Sequence, residues 1–218
     1  ISGELEADWA FQGVTTDTTL AEDPLLLLDV GGGSTEFILG QGGHKHFRES
    51  FPLGTVRLLE LMPPSDPPTE AEQATCRQWL QTYLRERVQP RLEPAMQRET
   101  RLDPRHGQVQ LVGTGGTATI LGTMEAGLKA FDRERIEATR LTREQVRQRR
   151  DQLWRLPLAQ RRQLPGLPPN RADVILTGVA IYEAVMDCLG FQDLKVSTRG
   201  VRFAALLSAT FHSTTIGS

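Results

Sequence analysis

The fold of this chain follows from one run at residues 25–40, which reads Leu25-Leu-Leu-Leu-Asp29-Val-Gly31-Gly-Gly-Ser-Thr-Glu36-Phe-Ile-Leu-Gly40. Its leucines form an apolar segment that is too short for an independent helix, and a second segment of β-prone residues follows the glycines. The pattern therefore predicts a strand, a tight turn and a second strand.

The glycines between these strands predict a loop that binds an anion. Without Cβ atoms, residues 31–33 can take positive φ and turn successive backbone N–H groups inward. Asp29 and Glu36, on either side, carry the hard oxygen ligands that Mg²⁺ prefers. The loop is neither a Walker nor a dinucleotide motif, because no lysine follows the glycines and Glu36 stands where a dinucleotide fingerprint has its third glycine. A Gly-rich hairpin turn without a ligand is the alternative.

The composition is that of a globular protein. The chain has 218 residues, 39% of them hydrophobic and 24% charged, which suits one well-cored domain. A formal net charge of −2 argues against a nucleic-acid partner, and we expect no membrane segment because no apolar stretch approaches about 20 residues. Cys76 and Cys188 lack metal-type spacing, so we expect a cytoplasmic protein with reduced cysteines.

A second glycine loop lies further along the chain. Residues 108–112 form a strand candidate that runs into Gly113-Thr-Gly-Gly-Thr117 and then into a helical pattern over 118–128. A helix N-terminus preceded by exposed N–H groups can bind an anion. A tight turn that needs glycine only for packing is the alternative. The last strand is predicted at 193–197.

The remaining pattern predicts a third strand at 44–53 and several helices. Thr69 with Glu72, and Thr142 with Gln145, have the spacing of capping boxes. Apolar residues at helical spacing over 171–189, followed by Gly190, predict the longest helix. The segment between the second capping box and this helix is rich in arginine. It can be a solvated helix face, which its acidic residues favour, or a surface that guides a polyanion. Its arginines are Arg143, Arg147, Arg149, Arg150, Arg155, Arg161 and Arg162.

Six short motifs, in this order, resemble those of the exopolyphosphatase/guanosine pentaphosphate phosphohydrolase family. They are Ile1-Ser-Gly-x-x-Glu6-Ala7, Asp29-Val-Gly-Gly-Gly-Ser-Thr-Glu36, Leu53-Gly-Thr-Val-Arg-Leu58, Gly113-Thr-Gly-Gly-Thr117, Arg171-x-Asp173 and Val196-Ser-x-x-Gly-Val-Arg202. The order of strands and helices is also that of one lobe of the actin-like ATPase fold. The resemblance implies an α/β fold, one actin-like (ribonuclease H-like) lobe, with a mixed five-stranded sheet and helices on both faces.

The resemblance also implies a function. It is hydrolysis of a terminal phosphoanhydride in polyphosphate or guanosine pentaphosphate, with Mg²⁺. Glu6 matches the family's general base, whereas an exposed helix glutamate without a role is the alternative reading. Asp29 and Glu36 match the acids near the metal and the phosphate. The implied phosphate-binding residues are Gly31, Gly32, Gly33, Ser34 and Thr35 of the first loop and Gly115, Gly116 and Thr117 of the second.

The chain departs from the family pattern at Leu5 and Thr198, where the family has acids, and it shows no first lobe with its Asp-x-Gly-Ser loop. We therefore expect residues 25–211 to be the second lobe of a longer enzyme that is inactive without its first lobe. We expect an inter-lobe helix at 1–14, a linker at 15–24 and a flexible tail at 212–218. The exposed cleft face of such a half-enzyme can pair with a second copy, as a homodimer.

Two other functions are compatible with the sequence. An ATP-dependent kinase of the same superfold, related to acetate or sugar kinases, would use residues 113–117 as an adenosine loop. A regulatory module that binds phosphate without turnover is the non-enzymatic alternative. Replacement of Glu6 by Gln separates these readings, since only an enzyme loses turnover.

Overall fold

A computed structural model describes residues 3–102, 109–201 and 203–205, with backbone alone for 3–6 and 100–102. The described residues form one mixed sheet with the strand order β3-β2-β1-β4-β6-β5. Strand β1 pairs antiparallel with β2 and parallel with β4. The antiparallel part β1–β3 and the parallel part β1, β4 and β6 therefore meet at β1. The strands are β1 (Leu25–Val30), β2 (Thr35–Gln41), β3 (His44–Phe51), β4 (Gln110–Thr114), β5 (Arg140–Thr142) and β6 (Asp193–Val196).

Helices fill most of the connections between the strands. They are α1 (Gly3–Val14), α2 (Thr18–Ala21), α3 (Thr55–Leu61), α4 (Glu70–Tyr83), α5 (Gln89–Leu102), α6 (Gly115–Glu125), α7 (Arg133–Glu137), α8 (Arg143–Arg155), α9 (Leu158–Arg161) and α10 (Ile175–Leu189). A π-helical turn, Leu84–Val88, joins α4 to α5. Both predicted capping boxes are confirmed at the starts of α4 and α8, and Gly190 ends α10 with a left-handed φ of 79°.

The alternation of the leucines in β1 divides the interior into two layers. Leu25 and Leu27 pack against Phe11 and neighbouring residues of α1 on one face. Leu26 and Leu28 belong to the larger cluster on the other face, to which α3, α4, α6, α8 and α10 contribute. Successive side chains of a strand point to opposite faces, so an uninterrupted apolar run is what a strand covered on both faces requires. Helices on both faces are thus confirmed.

The structure differs from the sequence prediction in three places. The sheet has a sixth strand, β5, because Arg140–Thr142 pairs antiparallel with β6. With Leu141 as its one buried residue, this strand is too short to show a period of two. Residues 15–24 contain α2, for which Asp17 is the N-cap. The helix predicted from 171 begins at Ile175, after a 3₁₀ turn at Pro169–Arg171. The tail predicted at 212–218 lies outside the described residues.

Two arginines of the arginine-rich segment are buried and do not fit either surface reading, whereas Arg155 and Arg162 are exposed. Arg150 and Arg161 are only 6% and 4% exposed. Arg150 Nη2 lies 2.9 Å from Glu183 Oε1 on α10, and Arg147 pairs with the same carboxylate from 3.5 Å. Burial raises the pKa of Glu183, and this effect outweighs the opposing effect of the arginines. These arginines therefore hold α8 against α10.

The part of the chain that the structure describes contains no helix that is both long and apolar enough to cross a membrane.

Candidate active site

A row of four polar residues crosses the sheet near the ends of β1 and β4, on the face that α1 covers. Asp29 of β1 is in register with Glu36 of β2 and with Thr114 of β4, and Glu36 is in register with Ser50 of β3. Residues opposite one another in neighbouring strands share a face of the sheet, with Cβ atoms about 5 Å apart. The register therefore brings Asp29 and Glu36, predicted from sequence as a pair of metal ligands, side by side.

Glu36 is held by two hydroxyl groups. Its Oε1 accepts hydrogen bonds from Ser34 Oγ at 2.7 Å and from Ser50 Oγ at 2.8 Å. The residue is only 8% exposed, and no group among the described residues donates to its Oε2. A carboxylate with one oxygen fixed and the other without a donor is suited to a cation or to a donor from a ligand.

The first glycine loop has a different conformation from the one predicted. None of the glycines at 31–33 has positive φ, so that prediction was wrong. The Gly31 N–H donates to the Ser34 carbonyl at 2.9 Å, while the Gly31 and Gly32 carbonyls accept from the N–H groups of Thr55 and Val56, both at 2.9 Å. The loop thus docks on the N-terminus of α3. Glycine is needed here for close approach, since a Cβ on Gly54 would overlap the Gly32 backbone.

Side chains beside this loop also use their hydroxyl groups within the fold. Thr35 is fully buried and donates to the Leu53 carbonyl, so its predicted contact with phosphate does not agree with its position. The hydroxyl group of Ser34 faces Glu36. Arg57 Nε donates to the Gly33 carbonyl at 2.9 Å, which places an exposed guanidinium at the loop.

The positive φ is found in the second glycine loop, at Gly115, where it is 78°. A Cβ on this residue would lie 3.1 Å from Asp29 Cγ and would overlap Asp29 Oδ1. Gly115 therefore lets the loop approach the carboxylate closely. Gly115 is also the first residue of α6, and its N-cap Thr114 makes no side-chain hydrogen bond to the helix. The first N–H groups of a helix have no acceptor within it, and α6 begins beside Asp29 at the carboxyl end of β1, which is a position suited to an anion.

The Thr114 side chain is one of the buried polar groups without a hydrogen-bond partner among the described residues. It is fully buried beneath Gly200, whose Cβ would lie 2.9 Å from Thr114 Oγ1. An unpaired hydroxyl group in a buried position costs stability. Its place in the polar row, next to Asp29, is where a ligand or water would supply the missing partner.

A cleft of about 140 Å³ opens where the two loops meet. Its lining residues are Asp29, Val30, Gly31, Gly32, Thr55, Gly116, Thr117, Ile120, Arg171, Val174 and Ile175. Asp29 belongs to both the cleft and the polar row. Of the predicted phosphate-binding residues, the cleft brings together Gly31, Gly32, Gly116 and Thr117, whereas Gly33, Ser34, Thr35 and Gly115 do not line it.

Arg171 is a site residue that sequence reasoning did not assign. It is exposed, and its guanidinium pairs with no group in the described ranges. The residue was read as the start of a long helix, but the 3₁₀ turn at Pro169–Arg171 places it at the cleft instead. The two prolines before it and the Arg171-x-Asp173 motif were the available signals. A free guanidinium fork suits phosphate oxygens.

Asp29 influences the tyrosine beneath it. Burial raises the pKa of Tyr182 well above its ordinary value, and the negative charge of Asp29 adds to this effect. Tyr182 is therefore protonated and donates to the Leu28 carbonyl at 3.2 Å. This hydrogen bond fixes α10 under the end of β1, next to Asp29.

The general base and the Mg²⁺ site predicted from sequence involve Glu6 and the pair Asp29 and Glu36. The backbone of Glu6 lies in α1, on the face of the sheet that carries the polar row, but its side chain is outside the described residues. Within the described residues there is no cluster of three or more His, Cys, Asp or Glu side chains that could hold a metal. Asp29 and Glu36 form a pair, which is compatible with a Mg²⁺ ion that also binds phosphate oxygens and water.

Comparison with known proteins identifies the family. A model of the Ppx/GppA phosphatase family matches residues 1–210. The chain belongs to the Ppx/GppA phosphatase family. This membership confirms the resemblance drawn from the six motifs.

Individual Ppx/GppA relatives agree in sequence and in fold. Exopolyphosphatase 2 of Mycobacterium tuberculosis is 32% identical over 213 residues, which are 95% of this chain and 62% of that protein. The Ppx/GppA phosphatase structure from Aquifex aeolicus superimposes with a TM-score of 0.79 at 28% identity, covering 95% of this chain and 64% of that one. An exopolyphosphatase structure from Cytophaga hutchinsonii superimposes with a TM-score of 0.75 at 25% identity, and the match covers 96% of this chain and 64% of that one. The actin-like fold of the lobe is confirmed, and the chain spans less than two thirds of these relatives.

Proposed function

We propose that the protein to which this lobe belongs hydrolyses terminal phosphoanhydride bonds of inorganic polyphosphate. The observation that carries the proposal is the cleft in which Asp29 meets the glycine loop at the N-terminus of α6. Its chemistry suits a terminal phosphate, because backbone N–H groups and the exposed guanidinium of Arg171 can bind the oxygens. Membership of the Ppx/GppA family and the match to exopolyphosphatases support this substrate class.

The residues of this lobe have separate roles in the proposal. Arg171 and the first turn of α6 bind and orient the terminal phosphate. Asp29 and Glu36 would hold Mg²⁺, which would supply positive charge where charge develops on the transferred phosphoryl group. The two serines fix Glu36, since both of their hydroxyl groups donate to its Oε1.

Glu6 is the general base in this proposal. It removes a proton from the water that attacks the terminal phosphorus, and the bond to the bridging oxygen breaks as the new one forms. What supports this role is the match of Ile1-Ser-Gly-x-x-Glu6 to the family motif and the position of α1 on the face that carries Asp29 and Glu36. We further propose that this lobe by itself is folded and inactive, because the opposing side of the cleft belongs to a first lobe.

The central experiment measures phosphate release from polyphosphate by the full-length protein and by its Glu6→Gln variant. We expect turnover to fall by a factor of about 10²–10⁴, the usual contribution of general base catalysis. Glu60→Gln is the matched control, because Glu60 is an exposed glutamate on α3 outside the cleft. Unchanged turnover in Glu6→Gln would remove Glu6 from the mechanism.

Two further assays test the substrate class and the metal requirement. Guanosine pentaphosphate, and ATP with acetate or a sugar as acceptor, are tested with the same protein. Phosphoryl transfer from ATP without phosphate release from polyphosphate would replace the proposal by a kinase. Binding of polyphosphate without any turnover would favour the regulatory module.

Asp29→Asn should raise the Mg²⁺ concentration for half-maximal activity by about tenfold or more, since it removes one charged ligand.

A further inference from the structure

Helix α1 is tied to the edge strand of the sheet by a cluster of three charged side chains. Asp8 Oδ1 accepts from Lys45 Nζ at 2.7 Å and from Arg48 Nη1 at 2.6 Å. Asp8 lies two residues after Glu6 in the same helix, whereas Lys45 and Arg48 belong to β3. We refer to Asp8, Lys45 and Arg48 as the α1 clamp.

The α1 clamp exists because β3 contains a bulge. Phe47 pairs with Leu39 but Lys45 pairs with Gly40, so His46 is an extra residue in β3. In a regular strand, residues 45 and 48 would point to opposite faces, because their separation is odd. The extra residue restores them to one face, which is the face that α1 covers. The bulge in the edge strand β3 thus lets Lys45 and Arg48 both reach the carboxylate of Asp8.

Close packing around the bulge limits the movement of α1 further. A Cβ on Gly40 would lie 2.7 Å from Phe11 Cζ, so the helix rests directly on the strand next to the bulge. Asp8 is about as exposed as Lys45 and Arg48, at 26–30% for the three side chains. A single ion pair with this exposure contributes little to stability, but two pairs on one carboxylate, beside the contact of Phe11 with Gly40, together favour one position of α1.

We propose that Asp8 is a positioning residue, which through Lys45 and Arg48 sets the position of the Glu6 backbone relative to the cleft. The proposal rests on the proposed function of Glu6. A helix is a stiff element, so an anchor half a turn beyond Glu6 fixes the rotation and translation of the turn that carries it. Catalysis is sensitive to such placement, because a shift of about 1 Å can cost about 100-fold in rate.

The test compares Asp8→Asn with Asp193→Asn in the full-length protein. Asp193 is a matched control, because it also pairs with an arginine at 2.7 Å, is also 30% exposed and lies on β6, next to the opposite edge strand of the sheet. We expect Asp8→Asn to lower kcat by about tenfold or more and to leave KM within about twofold, since substrate contacts are unchanged. Amide hydrogen exchange in α1 should be faster in this variant alone, and Asp8→Glu should restore part of kcat.

Each of the other outcomes overturns the proposal. Activity equal to that of Asp193→Asn shows that the clamp does not position the base. Faster exchange in α1 with full kcat shows that the position of α1 does not limit turnover. A raised KM with unchanged kcat assigns Lys45 and Arg48 to substrate binding instead. The role of Glu6 itself is tested separately by Glu6→Gln, while hydrogen exchange reports on the clamp whatever the reaction is.

Discussion

Gly115→Ala should damage both the fold and the cleft, and the two effects can be separated. Gly115 has a φ of 78°, which costs an L-residue about 1–2 kcal/mol. The new Cβ would lie 3.1 Å from Asp29 Cγ and would overlap Asp29 Oδ1. Since carbon atoms pack at about 3.5–4.0 Å, the carboxylate must move by roughly 0.5–1 Å. Such overpacking adds about 1–3 kcal/mol to the loss of stability.

Gly190→Ala is the matched control for the backbone effect. Gly190 has a φ of 79°, and a Cβ there would meet nothing within 4 Å. Its variant therefore carries the same backbone strain without a displaced carboxylate. Urea denaturation should show that Gly115→Ala loses about 1 kcal/mol or more beyond Gly190→Ala.

Turnover provides the second measurement. If Asp29 works in the cleft, phosphate release by the full-length Gly115→Ala variant should fall by about 10- to 100-fold, because the carboxylate is displaced by a large fraction of 1 Å. Gly190→Ala should keep its turnover. Equal stability losses in the two variants, or full turnover in Gly115→Ala, would refute the argument that the glycine makes room for Asp29.

Further predictions concern the buried ionisable groups. Glu183→Leu places an apolar side chain against the buried Arg150, which keeps only the more exposed Asp151 at 3.4 Å, and should lower the free energy of unfolding by about 3–5 kcal/mol in urea denaturation, whereas the double variant Arg150→Met/Glu183→Leu should recover most of it. The pKa of Glu183 is raised from 4.5, so the folded state holds its proton more firmly. The stability contribution of Glu183 should therefore decline as pH rises above 4.5. Urea midpoints measured as a function of pH should show this decline, and the Glu183→Gln variant should lack it. Burial raises the pKa of Cys76 to about 12, so iodoacetamide should label Cys76 at pH 8 only after unfolding, and rapid labelling of the native protein would contradict its burial.

Local patterns were sufficient where the neighbouring residues along the chain decide the structure. The capping boxes of α4 and α8, and the end of α10 at Gly190, depend on hydrogen bonds and φ values within a few residues, and all were predicted correctly. The pairing of β1 with β2 follows in the same way from a short connection between two apolar runs.

Features that depend on distant residues were not available from sequence. The carbonyl groups of Gly31 and Gly32 accept from the first turn of α3 without a left-handed conformation, and the close approach requires glycine at Gly54. Arg171 reaches the cleft because a 3₁₀ turn replaces the first turn of a predicted helix. The strand β5 forms only because β6 offers it an edge.

The sequence by itself determined the family, the order of most elements and the candidate carboxylates Asp29 and Glu36, because these depend on residue types at short spacings. The tertiary structure decided which groups stand together. The sheet register places Asp29 beside Glu36 and Thr114, and the bulge in β3 turns Lys45 toward α1. Strand pairing and bulges arise from contacts between segments far apart in the chain. Their energies therefore depend on the whole packed sheet and leave little trace in any single stretch of residues.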